Sequence, residues 1–331
     1  MSRDMRPRFS IQTGQQFAAW PDIVRIWQEA ERLGYDGAYA YDHFMAVMMD
    51  PFDPCLEAWT ALAALAVHTT RLRLGVLVTG NTYRHPAVLA KMATTVDVIS
   101  NGRLDFGIGS GWFDTEHTAL GIPFGPVVER CARLDEALAV IRALWTEREA
   151  RFAGRYYQLA GAIAEPKPVQ RPHPPILIAA SGEKRMLRIV ARHADAWNSF
   201  GSPEVLRHKT AVLAAHCRAE GRDVEAIEKS VLLPAAMGSD PEAWAPLVQG
   251  YAAYQGLSPQ EAEGWMLLGT ADAVTRQIER YLAVGVTHFI LTLTPYNFEV
   301  MERFAGEVMW RFGGSAPDGH SSSDGGRSGG R

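Results

Sequence analysis

Short apolar runs alternate with helically periodic stretches along almost the whole chain. The first run, RFSIQ (8–12), is followed by Ile23, Ile26, Trp27, Ala30 and Leu33 on one predicted helix face, with Pro21-Asp22 supplying its first turn. AYAYD (38–42), RLRLGVLV (71–78) and RLDFGIG (103–109) read as the next strands. They are separated by a predicted helix near 54–68 and another that opens at Pro86 and closes at the Asn101-Gly102 turn. Leu134, Leu138, Ile141 and Trp145 then recur at helical spacing. PILIAA (175–180) leads through Ala180-Ser181-Gly182 directly into a helix with Leu187, Val190, Ala191 and Ala194 on its buried face. DAWNS (195–199), a helix over 204–220, KSVLLP (229–234), a helix carrying Val274, Ile278 and Leu282, and THFILTL (287–293) complete the pattern.

Eight strand candidates, nearly all followed by a helix, predict an α/β fold: a (β/α)8 TIM barrel, because parallel strands need helical crossovers and eight can close. A doubly wound sheet is the second topology, but no GxGxxG follows the first strand. Residues 1–312 read as one barrel domain with insertions near its C-terminal mouth: a Pro-rich excursion at 146–175 and a helical one at 235–268, the latter expected to cover a pocket. The Gly/Ser-rich tail, 313–331, has too little apolar content to fold and is expected to be disordered.

Charge and cysteine content narrow the function classes. A formal net charge of −4 offers no basic field for nucleic acid or anionic lipid. The start, MSRDMRPRFS, lacks the apolar stretch of a signal peptide, and the apolar run at 56–67 is too short to span a bilayer. Cys55, Cys131 and Cys217 form no CxxC, which argues against a disulfide framework or thiolate metal site and fits a reducing cytoplasm.

In a parallel barrel the chemistry sits at the C-terminal ends of the strands. Those ends carry Asp42-His43, Leu77 to Asn81, Gly109-Ser110-Gly111-Trp112 with Asp114, Glu116 and His117 behind, Ala180 to Lys184, and Trp197-Asn198. Ala180-Ser181-Gly182 before a helix predicts a phosphate site, since unpaired amides point out of a helix N-terminus. An ordinary flexible turn is the alternative. Gly107, Gly109 and Gly111 admit either a flat ligand or close strand packing. A histidine can give or take a proton in the physiological range, so His43 suits proton transfer, or else a structural hydrogen bond. No HExxH, EF-hand loop or Gly-x-Ser-x-Gly elbow is present, so no metal site is assigned.

These residues resemble the luciferase-like monooxygenase superfamily over roughly 8–300. The resemblance is carried by YDHF (41–44), LGVLVTGNTYRHPAVLAK (74–91), NGRLDFGIGSGW (101–112), ASGEKRMLRIVARHADAWN (180–198) and LLGTADAVTRQIERYLAVGVTHFIL (267–291). It implies a barrel, usually dimeric, with a flavin or deazaflavin ring across the mouth. It places the cofactor phosphate at Ala180, Ser181, Gly182, Glu183 and Lys184. It also implies a non-prolyl cis peptide within Val76, Leu77, Val78 and Thr79, with Asp42, Gly109, Ser110, Gly111 and Trp112 bordering the cofactor.

The sequence looks most like the branch that uses coenzyme F420, with His43 beside the deazaflavin. Members with a Glu directly after the strand-four glycines use it as proton donor. Trp112 stands there instead, so Glu116 or Asp114 would have to reach in, and a sugar-phosphate dehydrogenase activity does not follow. The expected function is hydride transfer between C5 of F420 and a small organic substrate, with His43 and Glu116 as catalytic candidates and a homodimer as the assembly. The alternative is an FMN-dependent monooxygenase using reduced flavin, O2 and a flavin reductase. A sugar-phosphate isomerase or aldolase, or a cofactor carrier without turnover, stands further off.

Overall fold

A computed structural model describes residues 6–47, 50–292 and 298–313. The expected disordered tail lies outside these residues, apart from Gly313. The barrel strands are β1 (Arg8–Gln12), β2 (Gly37–Ala40), β3 (Arg73–Val76), β4 (Leu104–Gly109), β5 (Ile176–Ala179), β6 (Ala196–Ser199), β7 (Glu228–Met237) and β8 (His288–Thr292). All neighbours are parallel, and the ring closes through β6–β7, β7–β8 and β8–β1. The eight-stranded (β/α)8 barrel is therefore the fold. The helices are α1 (Trp20–Arg32), α2 (Ala58–His68), α3 (Pro86–Ile99), α4 (Asp114–Leu120), α5 (Val127–Thr146), α6 (Met186–His193), α7 (Pro203–Ala219), α8 (Ala245–Gln255), α9 (Pro259–Glu263), α10 (Ala271–Leu282) and α11 (Phe298–Glu307).

Strand alternation explains why the barrel closes with an apolar outside. Phe9/Ile11, Leu74/Val76, Phe106/Ile108, Ile176/Ile178, Val231/Leu233 and Phe289/Leu291 are buried in the large cluster between sheet and helices. Many of the intervening, inward positions are small or polar: Ser10 and Gln12, Gly75, Gly107 and Gly109, Asn198, Ser230. A small separate cluster of Tyr39, Leu77, Leu177, Ala196 and Ile290 fills the barrel's middle.

The N-terminal pole is closed by charge. Asp105 accepts from Arg8 at 3.1 Å, Arg73 at 2.8 Å and the Tyr39 hydroxyl at 2.8 Å, and Arg8 also meets Glu228 at 2.9 Å. Burial pushes the Asp105 carboxyl up, but the two guanidiniums hold it below its ordinary range. The cavity at this pole, ≈ 360 Å³, is lined by these mutually satisfied groups, whose pairing closes this end of the fold.

Three details depart from the sequence expectations. Residues 146–175 contain an antiparallel hairpin, Ala150–Ala153 with Gln158–Ala162, which RFAGRYYQL encodes around a Gly154 turn. The 235–268 excursion is not wholly helical: β7 runs on to Met237 and pairs with the short strand Leu267–Gly269, and α8 and α9 lie between them. The helix after β5 begins at Met186 rather than at Gly182, because a wide turn closed by the Leu187 amide on the Gly182 carbonyl (3.0 Å) comes first.

Candidate active site

The C-terminal ends of β2, β3 and β4 converge on His43. Glu116, on the first turn of α4, reaches back to it: its carboxylate accepts from His43 Nδ1 at 3.1 Å, from the amides of Phe44 (2.5 Å) and Met45 (2.9 Å), and from the Tyr83 hydroxyl. Glu116 is 0% exposed. Burial pushes its carboxyl up, yet the hydrogen bonds from His43, Tyr83 and the Phe44 amide outweigh that and hold it below the usual range. An ionised carboxylate only accepts, so the proton of neutral His43 is fixed on Nδ1 and Nε2 is left as the basic lone pair. Nε2 has no partner among the described residues. The imidazole is walled edge-on by Trp112 (5.8 Å), Phe113 (5.7 Å) and Tyr83 (6.5 Å).

Behind His43 lies a buried ion pair. Asp42 accepts from Arg84 at 2.7 and 2.9 Å, and Arg84 also reaches Glu57 at 2.5 Å. Burial pushes the Asp42 carboxyl up and the bidentate guanidinium pulls it back. Asp42 is thereby engaged within the protein, holding the loop that presents His43. His117 is also fully committed: Nδ1 donates to the Phe113 carbonyl (2.7 Å), so Nε2 accepts from the Thr82 hydroxyl (2.7 Å), and the ring stacks on Tyr83 at 4.6 Å.

A cis peptide joins Leu77 and Val78, inside the Val76–Thr79 window. The Leu77 carbonyl accepts from Gln12 Nε2 at 2.5 Å, and the Thr79 hydroxyl accepts from Trp59 Nε1 at 2.7 Å. Gly107 packs directly beneath: a Cβ there would lie 2.0 Å from the Val76 carbonyl oxygen. The strand-packing reading of Gly107 is thus correct. Gly111 has φ +78°, the left-handed turn that starts the approach to α4. Asn81, at the same rim, is buried, and both its side-chain polar atoms lack a partner among the described residues.

The rim continues to β5. A Cβ on Gly109 would stand 3.7 Å from the Ala179 carbonyl. Ala180 is anchored by the Asn198 carbonyl (3.0 Å) and by Trp197 Nε1 (2.9 Å), while Ser181, Gly182 and Lys184 are exposed. The amides of Glu183, Lys184 and Arg185 have no acceptor among the described residues. Lys209, from α7, donates to the Ser181 carbonyl at 2.6 Å and lies 3.5 Å from Glu183, which also meets His208 at 3.2 Å. This loop therefore offers free amides flanked by cations, the chemistry of an anion cradle.

The structure thus brings His43, Asp42, Glu116, Trp112, Val76–Thr79 and Gly109–Gly111 together, with Ala180–Lys184 next along the rim. Sequence reasoning missed Tyr83, Gln12 and Lys209. Tyr83 stood within TGNTYRH, but nothing local marks it as a donor to a residue on α4. Among the described residues no cluster of three or more His, Cys, Asp or Glu could hold a metal ion, and no helix is long and apolar enough to cross a membrane.

The family model for luciferase-like monooxygenases matches residues 5–290. The chain belongs to that family. An uncharacterized protein of Mycobacterium tuberculosis is 38% identical over 148 residues, 45% of this chain and 51% of that protein, so the chain matches about half the length of this relative. Longer alignments join this family member to an F420-dependent glucose-6-phosphate dehydrogenase of Nocardia farcinica (30% over 296 residues, 81% of this chain and 87% of the relative) and to an FMNH(2)-dependent dimethylsulfone monooxygenase of Pseudomonas putida (27%, 86% of each). An F420-dependent secondary alcohol dehydrogenase, solved with an F420-acetone adduct, shares the fold: TM-score 0.82 and 19% identity, over 92% of this chain and 98% of that one.

Proposed function

We propose that this protein is an F420-dependent oxidoreductase that transfers a hydride between C5 of the deazaflavin and a small organic substrate. The observation that carries the reading is the His43–Glu116 dyad at the barrel mouth, with Nδ1 held by a buried carboxylate at 3.1 Å and Nε2 unengaged among the described residues. Such a pair suits moving the proton that accompanies hydride transfer. The residues present fit a flavin-type group: the Val76–Thr79 segment, the Asn81 amide, which has no partner among the described residues, and the Ala180–Lys184 loop lie on one rim. Bound there, F420 would supply the two-electron carrier chemistry.

The chain's own part is positional. Val76–Thr79, Gly109, Ser110 and Gly111 would support the ring. Ser181, Gly182, Lys184 and the Glu183–Arg185 amides would hold the phosphate with Lys209. Glu116 orients His43 without itself touching substrate, so it is a positioning residue. Asp42 acts at one remove, by fixing the His43 loop through Arg84. Homodimeric assembly and a cytoplasmic location belong to the same reading.

The second reading, an FMN-dependent monooxygenase supplied with reduced flavin by a reductase and consuming O2, is favoured by the dimethylsulfone monooxygenase relative. A single-turnover assay separates them. Reduced F420 reoxidised by an organic carbonyl compound under anaerobic conditions supports the first; substrate-dependent O2 uptake with reduced FMN supports the second.

A further inference from the structure

We infer that the substrate compartment is built for an uncharged alcohol or carbonyl compound bearing a flat apolar ring, and rejects phosphorylated or carboxylated ones. This rests on the oxidoreductase reading above and adds the substrate class. The argument starts from the loops at the C-terminal pole. Among the described residues, five of the segments that follow the barrel strands, 13–19, 41–47 with 50–57, 110–126, 200–202 and 238–270, contain no lysine or arginine. The longest, 238–270, instead carries Asp240, Glu242, Glu261 and Glu263.

The cations in the other two segments are already assigned. Arg84, after β3, is held between Asp42 and Glu57. Lys184 and Arg185, after β5, belong to the phosphate loop with Lys209. Arg303, which reaches the rim from α11, donates to the Met237 carbonyl at 3.2 Å and pairs with Glu307 at 2.9 Å. A second anion entering beside His43 would be desolvated without a counter-charge, in a field that four carboxylates make negative.

Aromatic surface replaces charge. Trp112, edge-on to His43 at 5.8 Å, is 53% exposed, and it meets Tyr254 of α8, 44% exposed, at 6.3 Å. Two large rings left open at the mouth form a wall that leads from the excursion down to the imidazole, and flat apolar groups bind such walls by edge and face contacts. The balanced step would be the removal of a hydride and a proton from a carbinol: with oxidised F420 bound as the hydride acceptor, the C–H hydrogen would leave with its electron pair, the O–H proton would pass to His43 Nε2, and the C–O bond would become C=O. Run backwards, the carbonyl compound receives both.

Equilibrium calorimetry on protein loaded with oxidised F420 tests this without turnover, because a carbonyl compound cannot be oxidised further there. Acetophenone and phenylglyoxylate differ by one carboxylate. The expected result is an acetophenone Kd at least about tenfold below that of phenylglyoxylate, with glucose 6-phosphate giving no heat. Tyr254→Ala should raise the acetophenone Kd several-fold, and Tyr254→Arg should narrow or reverse the preference, with the F420 Kd unchanged in both. Phenylglyoxylate or glucose 6-phosphate binding as tightly as acetophenone, or a preference indifferent to Tyr254→Arg, overturns the inference. The F420 Kd is read in the same preparation: its loss would sink the cofactor reading instead.

Discussion

Glu116→Gln isolates what the buried carboxylate does for His43. Glu116 accepts four hydrogen bonds, from the Phe44 and Met45 amides on one oxygen and from His43 and Tyr83 on the other. Glutamine keeps the first pair, since its carbonyl oxygen faces the amides. Its NH2 group then confronts His43 Nδ1, which must give up its proton and accept. The imidazole proton moves to Nε2, the atom that has to take a proton from the substrate. All four bonds lose their charge assistance, roughly 1 kcal/mol each, or about 4 kcal/mol in all. For a chain of this length that lowers Tm by about 6 °C. Turnover should fall far more, by roughly 10²- to 10⁴-fold, the usual worth of a positioned base, while the F420 Kd stays within about threefold. Stopped-flow measurement of F420 reduction, scanning calorimetry and F420 titration on the same variant give the three readouts. A variant that loses the stability but keeps turnover within twofold would refute the reasoning and leave Glu116 as a loop anchor only.

Further outcomes follow from the same geometry. Arg84→Met should lower stability by about 3–5 kcal/mol, because Asp42 is left buried without its partner; urea denaturation checks this, and a loss under 1 kcal/mol would contradict the pairing. Gly107→Ala brings a Cβ against the Val76 carbonyl, so cofactor affinity should fall together with Tm, read by titration and melting. Lys209→Ala should raise the F420 Kd about tenfold and flatten its dependence on salt; an unchanged Kd would remove Lys209 from the phosphate site. Acid should act on Glu31, where burial pushes the carboxyl up but bonds from the amides of Arg71, Leu72 and Thr70 pull it down to about 2. A depressed carboxyl stabilises the fold fully above its unfolded value and loses that contribution as pH falls through the folded one. The Glu31→Gln variant should therefore differ from the parent most at neutral pH, and the difference should fade between about pH 4.5 and about 2.

Much of this was legible in the chain. The eight strands follow from alternating runs whose buried outer residues, Phe9/Ile11 or Val231/Leu233, are large and apolar. Pro86 marked the start of α3 because a proline at the first helical position costs no hydrogen bond. The helix after β5 was expected four residues early: Ser181-Gly182 looks like an N-terminus, but the register is set by Met186 and Leu187, whose buried side chains dock on the core. The hairpin at 150–162 was missed because its strands are short and half-exposed, so they carry little alternation. At the site, residues next to strand ends were found and their long-range partners were not. Tyr83 lies 33 residues from Glu116, and Gln12 lies 65 from Leu77. Lys209 reaches Ser181 only because a three-residue link turns α7 back across the rim. Contacts of that kind are made by the closed ring, and no local pattern encodes them.

The central claim is the choice of carrier at this mouth. Purified protein titrated in parallel with F420 and with FMN, each followed by the quenching of its own fluorescence, tests it most directly. The account predicts that F420 binds at least about tenfold more tightly than FMN. FMN binding more tightly than F420 would contradict it and place the chain with the oxygen-using flavin enzymes of its family.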